Sequence, residues 1–566
     1  MSLDFLRQIG YIWDKSRFPS DLITDDGHSK AVQQMVAFLT AKQSRSVVVS
    51  GEPGVGKTTL IDLACKELDG LGWKIFVSGA TDLVAGQRYI GDLEQQVRTL
   101  SEFLQKSKEK WLWIVPRFHE LYYIGKHEYS PMGILDMILP HVEAGRITVI
   151  GETQPRHYER VLQFRPALQI AMEQIRIQPE DTAYAIALAE KWIATKQNKT
   201  AWKEVDKHAL KEAAWMAKQY LGNKEEPGNL MDFLKLTEKH FQAENSEGRP
   251  KTGIQQGDFI SALSGMTGLP LEILDDRQKL DLGDLSKAFQ DQVLGQEEAV
   301  DVLTERIAMI KAGLTDPSRP AGVFLFVGPT GTGKTEIAKT LADFMFGSPD
   351  RMIRLDMSEF QTADSMYRIF GGLGGDSIAL VDQIRKNPFS VILLDEFEKS
   401  HPKVWDLFLQ VFDDGRMTDP QGDTADFRHA IIIMTSNLGA GISSGAVPGF
   451  KPDAPGGYQV DKVFKELEGV FRPEFLNRID RVVAFKPLSR GVVRKILRNE
   501  LKKVLQRRGF RQRKWAVEWE DSALSFLMDK GFSETLGARP MKRAIEQYLL
   551  APLAIAIVNH QFPEGE

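Results

Sequence analysis

Ser46-Val-Val-Val-Ser50 runs directly into Gly51-Glu-Pro-Gly-Val-Gly-Lys-Thr58, and far along the chain Val323-Phe-Leu-Phe-Val327 runs into Gly328-Pro-Thr-Gly-Thr-Gly-Lys-Thr335. Each stretch reads as an apolar strand, a glycine loop and the start of a helix. Downstream of each loop comes a second apolar strand, Trp111 to Val115 in the first copy and Val391 to Leu394 in the second. The position just past that strand follows the loop lysine by 59 residues at Pro116 and by 61 at Asp395, so a whole domain is repeated. Behind each copy, about residues 179–243 and 487–558, Leu, Ala and charged residues recur at helical spacing. The expected fold is α/β, with two tandem modules, each a parallel-sheet P-loop nucleotide-binding domain followed by a small helical lid. The expected boundaries are 1–178 and 179–243 for the first domain and its lid, 244–286 for a connector, and 287–486 and 487–566 for the second pair. The polar stretch Ala243-Glu-Asn-Ser-Glu-Gly-Arg-Pro-Lys-Thr-Gly253 marks the connector.

The bulk numbers agree with this plan. A chain of 566 residues exceeds what one core serves, and 42% apolar with 26% charged residues is the balance of a globular protein. A net charge of −5 gives no diffuse positive field for a phosphate backbone, so nucleic acid is an unlikely default partner. One cysteine, Cys65, excludes an intramolecular disulfide framework and a cysteine-cluster zinc site, which suits the cytoplasm. No apolar run approaches the roughly 20 residues that cross a bilayer, and the N-terminus lacks a secretory pattern.

Both loops match G-x-x-x-x-G-K-[ST]. Glycines let backbone N–H groups wrap phosphate oxygens, the lysine reaches the outer phosphates and the threonine hydroxyl ligates Mg²⁺. The following helix adds its positive end. The expected nucleotide contacts are therefore Gly51, Glu52, Pro53, Gly54, Val55, Gly56, Lys57 and Thr58 in the first copy. In the second they are Gly328, Pro329, Thr330, Gly331, Thr332, Gly333, Lys334 and Thr335, with ATP and Mg²⁺ as the cofactors.

Hydrolysis also needs one carboxylate beside the metal and another to activate water, because phosphoryl transfer is mostly positioning and charge stabilisation. In the second module Val391-Ile-Leu-Leu-Asp-Glu396 ends its strand on both, with Asp395 expected to join Thr335 at Mg²⁺ and Glu396 to be the base. The first module has Pro116 and Arg117 there. Glu120 is a substitute only if an irregular loop carries it back over the phosphates.

These residues carry a resemblance. The second module resembles the C-terminal ATPase domain of the Clp unfoldase family, a branch of the AAA+ ATPases, most closely over the run Ser390 to Asp419. The resemblance implies an adenine-pocket entry at Val293 and Leu294, a sensor 1 at Asn437, an arginine finger at Arg478 and a sensor 2 at Arg539. A finger of this kind acts across a subunit boundary, so a self-assembled ring, a hexamer in the family, and a protein substrate are implied. The first module resembles the family's N-terminal ATPase domain, with Tyr89 in the place of the substrate-gripping pore aromatic and Thr153 in that of sensor 1. Ile170 and Ala171 stand where the family carries paired arginines, a second catalytic loss after Pro116 and Arg117. Thr267-Gly-Leu-Pro-Leu-Glu-Ile-Leu274 is similar to the family's junction text.

Four departures qualify the resemblance. The chain starts almost at the first module, so the family's N-terminal domain is expected to be absent. No long coiled-coil insertion follows the first lid, which favours a layout like that of the ClpA and ClpC branches. The second pore loop is shortened to Ile369-Phe-Gly-Gly-Leu-Gly-Gly-Asp376, leaving Phe370 or Leu373 as the grip. Ala446-Val-Pro-Gly-Phe450 is faintly similar to the tripeptide that docks family members on a peptidase ring, against an ordinary Pro-Gly turn. The expected function is an ATP-driven, ring-forming protein-remodelling ATPase that hydrolyses in its second module and uses nucleotide in the first for assembly or regulation. The alternatives are a nucleotide-controlled scaffold that threads nothing and, behind it, a nucleic-acid remodeller.

Overall fold

The computed structural model describes every residue except 1–2, 19–21, 24–25, 42–43, 86–89, 127–131, 197–200, 204, 222–223, 247–252, 276–277, 371–378, 420–423, 440–459, 512–516, 534–536 and 560–566. The chain forms two compact units, Met1–Leu263 and Ser264–Glu566, and the division falls inside the stretch read as connector.

The first unit is built on β1 (Tyr11–Ile12), β2 (Ser46–Ser50), β3 (Lys74–Val77), β4 (Trp111–Val115), β5 (Thr148–Thr153) and β6 (Met172–Arg176). They lie in the order β1-β3-β4-β5-β2-β6. All neighbours are parallel except β1, which pairs antiparallel with β3 at the edge. β2 and β4 are buried along their whole lengths, the near-continuous apolar reading of a strand covered on both faces. Alternation sorts the sides: Val47, Val49, Leu112 and Ile114 pack with helices Asp26–Thr40 and Lys57–Gly70, while Val48, Trp113 and Val115 pack with Ile90–Lys106 and Ile134–Glu143. Behind the sheet stand helices Thr182–Thr195, Lys207–Tyr220 and Gly228–Ser246, the first two capped by Asp181 and Asp206, which accept from Tyr184 and Ala209 backbone N–H groups.

The second unit repeats the plan with β7 (Gly322–Val327), β8 (Met352–Asp356), β9 (Val391–Asp395), β12 (Ile431–Ser436) and β13 (Arg481–Ala484), in the order β13-β7-β12-β9-β8, every pair parallel. A small hairpin, β10 (Arg416–Thr418) with β11 (Thr424–Asp426), lies apart from it. Phe397, just past β9, is fully buried and stacks with Phe471 and Phe475, so an aromatic cluster holds the turn that carries the acid pair. Helices Arg490–Leu505, Asp521–Gly531 and Met541–Ile545 form a separate apolar cluster behind this sheet.

Candidate functional site

In the second unit the glycine loop joins β7 to helix Lys334–Phe346. Gly328, Gly331 and Gly333 hold φ of 143°, 74° and 106°, conformations that let successive backbone N–H groups face one anion and that a side chain would strain. Lys334 is buried, its ammonium donating to the carbonyls of Gly328 at 2.5 Å and Pro329 at 3.1 Å and to Asn437 Oδ1 at 3.2 Å. Burial outweighs the attraction of Glu398, Asp395 and Glu396 and pulls this ammonium down to about 8.

The loop opens on a cleft of about 750 Å³ that brings together residues far apart in sequence. Its lining includes Val293, Leu294, Thr330 to Thr335, Asp395, Glu396, Asn437 and Arg539. Val293 is buried against the loop: a Cβ added at Gly333 would stand 3.3 Å from its Cγ1. Arg539 follows Ala538, whose backbone N–H reaches Gly331 O at 3.3 Å, so the C-terminal helical cluster is tied to the loop. Asp395 takes Thr435 Oγ1 on one oxygen and Arg354 on the other, each at 2.5 Å. Glu396 sits in the left-handed region at φ 57°, its N–H bonded to Thr435 Oγ1 at 3.1 Å and its carboxylate held by Asn437 Nδ2 and Lys399. Such a conformation costs a non-glycine residue roughly 1–2 kcal/mol and here aims the carboxylate into the cleft. Of the residues predicted for this unit's site, Gly328 and Pro329 at the start of the loop and Arg478 are not in the cleft lining. Arg478 pairs within its own unit with Asp413 at 2.6 Å and Glu474 at 3.4 Å.

The first unit keeps the frame. Gly54 and Gly56 hold φ of 93° and 94°, and buried Lys57 donates to Glu52 O at 2.9 Å. The backbone N–H groups of Glu225 and Gly228 bond the carbonyls of Pro53 at 2.7 Å and Gly54 at 3.0 Å, so the helical segment seats on this loop as well. Register makes the comparison residue by residue. Leu112 lies opposite Thr148 and Val391 opposite Ile431, which places Pro116 and Arg117 at the posts of Asp395 and Glu396. Arg117 even shares the left-handed backbone, at φ 48°, but its side chain turns to Glu120 at 3.0 Å. Ser50 pairs with Thr153 and Val327 with Ser436, so Gln154, rather than Thr153, occupies the post of Asn437. Of the posts for paired arginines, Ile170 is highly exposed and Ala171 is buried.

Tyr89, Leu373 and the stretch Ala446–Phe450 lie outside the described residues. Phe370 is described and packs partly buried against the core. Thr435, Arg354 and Lys399, contacts of the acid pair, and Glu398, which accepts from the Asn437 backbone N–H at 3.1 Å, are residues that sequence reasoning missed. Thr435 sits two residues before the recognised Asn437, where a strand-end hydroxyl next to an acid strand was a usable signal, whereas Arg354 on β8 offered none.

A five-strand parallel core with a P-loop after the strand next to one edge, an acid pair on the next strand but one and a helical segment closing on the loop define an AAA+ ATPase, an ATP hydrolase by class. Residues 47–153 match the ATPase family associated with various cellular activities, residues 319–482 the AAA domain of the Cdc48 subfamily, and residues 488–566 the C-terminal, D2-small domain of ClpB protein. Among curated relatives, the chaperone protein ClpB of Vibrio cholerae is 28% identical over 95% of this chain and 77% of its own length. The ATP-binding subunit ClpC of the ATP-dependent Clp protease of Staphylococcus aureus is 29% identical over 95% and 74%. Among solved structures, the Saccharomyces cerevisiae Hsp104–ADP complex superposes with a TM-score of 0.68 at 28% identity, over 98% of this chain and 96% of that one. The Hsp104–casein complex in its extended conformation gives 0.66 at the same identity. Over nearly its whole length the chain is similar to Clp-family AAA+ ATPases, ATP-driven remodellers of proteins, and nothing in these matches supports a nucleic-acid remodeller. No helix among the described residues is long and apolar enough to cross a membrane.

Proposed function

We propose that the second unit is the motor of a homo-oligomeric ring, a hexamer, that pulls on protein substrates in the cytoplasm, and that the first unit holds ATP without turning it over. The carrying observation is the convergence of Lys334, Thr335, Asp395, Glu396 and Asn437 on one cleft, against Pro116 and Arg117 at the matching posts of the first unit. Asp395 and Thr335 fit Mg²⁺, a hard cation that takes one or two carboxylate or hydroxyl oxygens beside the substrate phosphates. With the metal supplying charge neutralisation, Glu396 accepts the proton of the attacking water, Asn437 fixes that carboxylate, Lys334 holds the outer phosphates and Arg539 reaches them from the lid. Arg478 serves the neighbouring copy's site, which its position off its own cleft allows. Residues 179–243 and 487–566 act as the two lids. The relatives' names and the casein in one solved Hsp104 complex support a protein substrate. The shortened loop at 369–376 favours the second reading, a scaffold whose ring assembles a partner and threads nothing.

The test is ATP turnover by the full-length chain with casein as a permanently unfolded probe. Stimulation by casein is expected of the unfolding motor. A rate indifferent to casein and raised by one folded partner would establish the scaffold instead.

A further inference from the structure

The first unit has lost the acid that its own strand should supply, yet a carboxylate still stands on its phosphate loop. Glu152, next to last in β5, accepts a hydrogen bond from Thr58 Oγ1 at 3.1 Å. β5 lies between β2 and β4, so its C-terminal end stands one strand closer to the phosphate loop than that of β4 does. Val49 pairs with Glu152 as Phe326 pairs with Thr435, so Glu152 occupies the post where the second unit keeps the threonine that orients Asp395. Two exchanges thus occur together. The strand-end aspartate has become Pro116, and the neighbouring hydroxyl has become a carboxylate one methylene longer than aspartate. Glu120, the acid that follows the empty acid posts, pairs with Arg117 at 3.0 Å.

We propose that Glu152 is the magnesium-side acid of the first nucleotide site, so that this unit takes up Mg²⁺-bound ATP although it lacks a base to hydrolyse it. The donor chemistry fits: the Thr58 hydroxyl and one carboxylate, joined by a hydrogen bond, are hard oxygens on the loop that would hold the phosphates. A carboxylate facing a triphosphate without a cation between them would repel it, so the metal is what makes Glu152 compatible with nucleotide. The position of water activation is held by Arg117, a cation that cannot accept a proton at neutral pH.

This inference rests on the reading that the first site binds nucleotide, and the experiment separates the two. In the full chain carrying Lys334→Ala, binding of a fluorescent ATP analogue is titrated with Mg²⁺ and again with EDTA. Mg²⁺ should tighten binding, and Glu152→Gln should remove that gain, on the order of 10-fold or more, without weakening binding in EDTA. Glu120→Gln should keep the full gain, and unliganded thermal midpoints establish that both variants fold. An undiminished metal effect in Glu152→Gln would overturn the assignment, as would an equal loss with and without metal, which marks a merely structural role. Failure of the Lys334→Ala chain to bind at all, in either condition, would remove the underlying reading and this one with it.

Discussion

Pro116-Arg117 and Asp395-Glu396 occupy equivalent posts on corresponding strands of the two sheets, and the backbone at the second post is left-handed in both. A left-handed non-glycine residue is unfavourable by itself, so its presence in both units says that the turn belongs to the fold rather than to the chemistry. In the second unit the turn presents a carboxylate to the cleft, and in the first it presents a guanidinium that pairs with Glu120. The phosphate loops, by contrast, are alike in the left-handed conformation of their last two glycines and in buried lysine. On the proposed reading binding and hydrolysis therefore separate: the frame expected to bind is kept twice, and the side chains expected to hydrolyse are kept once.

Four substitutions or titrations press on that contrast, from the largest effect to the smallest. Arg478→Ala should cost on the order of 10³ to 10⁵ in turnover. It should leave the fold intact, since what is lost is the ion pairs to Asp413 and Glu474 and a hydrogen bond to the Glu474 carbonyl, all at the surface. A melting midpoint lowered along with the rate would reassign Arg478 to structure. Glu396→Gln should lower steady-state hydrolysis by about 10² to 10⁴ with ATP binding retained, and near-normal turnover would mean that the first unit hydrolyses after all. Lys57→Ala should remove the ligand stabilisation of the first unit, about 2.7 kcal/mol at ATP concentrations 100 times the dissociation constant. Calorimetric melts with ATP should register that loss in the first unit's transition alone, whereas equal losses in both transitions would contradict separate sites.

The smallest effect concerns pH. Burial holds the Lys334 ammonium at about 8 in the folded chain against 10.5 when unfolded. Folding thus disfavours its proton, and the resulting penalty, full below pH 8, fades as pH rises from about 8 toward 10.5. Phosphate binding wants the charged form. In the Lys57→Ala chain, affinity for ATP should fall by up to about tenfold per unit above pH 8, with proton uptake on binding measurable by calorimetry in buffers of different ionisation enthalpy. A flat profile from pH 7 to 9 would place the lysine outside the phosphate contacts.

Much of this was readable in the chain. Fully buried strands such as Val323-Phe-Leu-Phe-Val327 announce themselves by unbroken apolarity, and a P-loop is a local object whose residues are contiguous. The loss at Pro116 and Arg117 was legible because the second copy supplied a ruler of matched spacing. What escaped was lateral. Thr435 and Arg354 reach Asp395 from neighbouring strands, and spacing along one strand says nothing of what stands beside it. The sensor post was misread by one residue, Thr153 for Gln154, because the short text Ile150-Gly-Glu-Thr-Gln154 fixes no register until β2 pairs with it. Glu152 was passed over for the same reason, since its partner Thr58 lies 94 positions away.

The central claim, one motor and one holding site, is tested most directly by removing the motor's phosphate lysine and following what the other site does with its ligand. The Lys334→Ala chain is incubated with γ-labelled ATP and Mg²⁺, freed of unbound nucleotide, and its bound nucleotide is identified over time. Retained, uncleaved ATP is the predicted result. Steady release of labelled phosphate with ADP left behind would mean that Glu120, Glu152 or another acid activates water in the first unit, and that both units are motors.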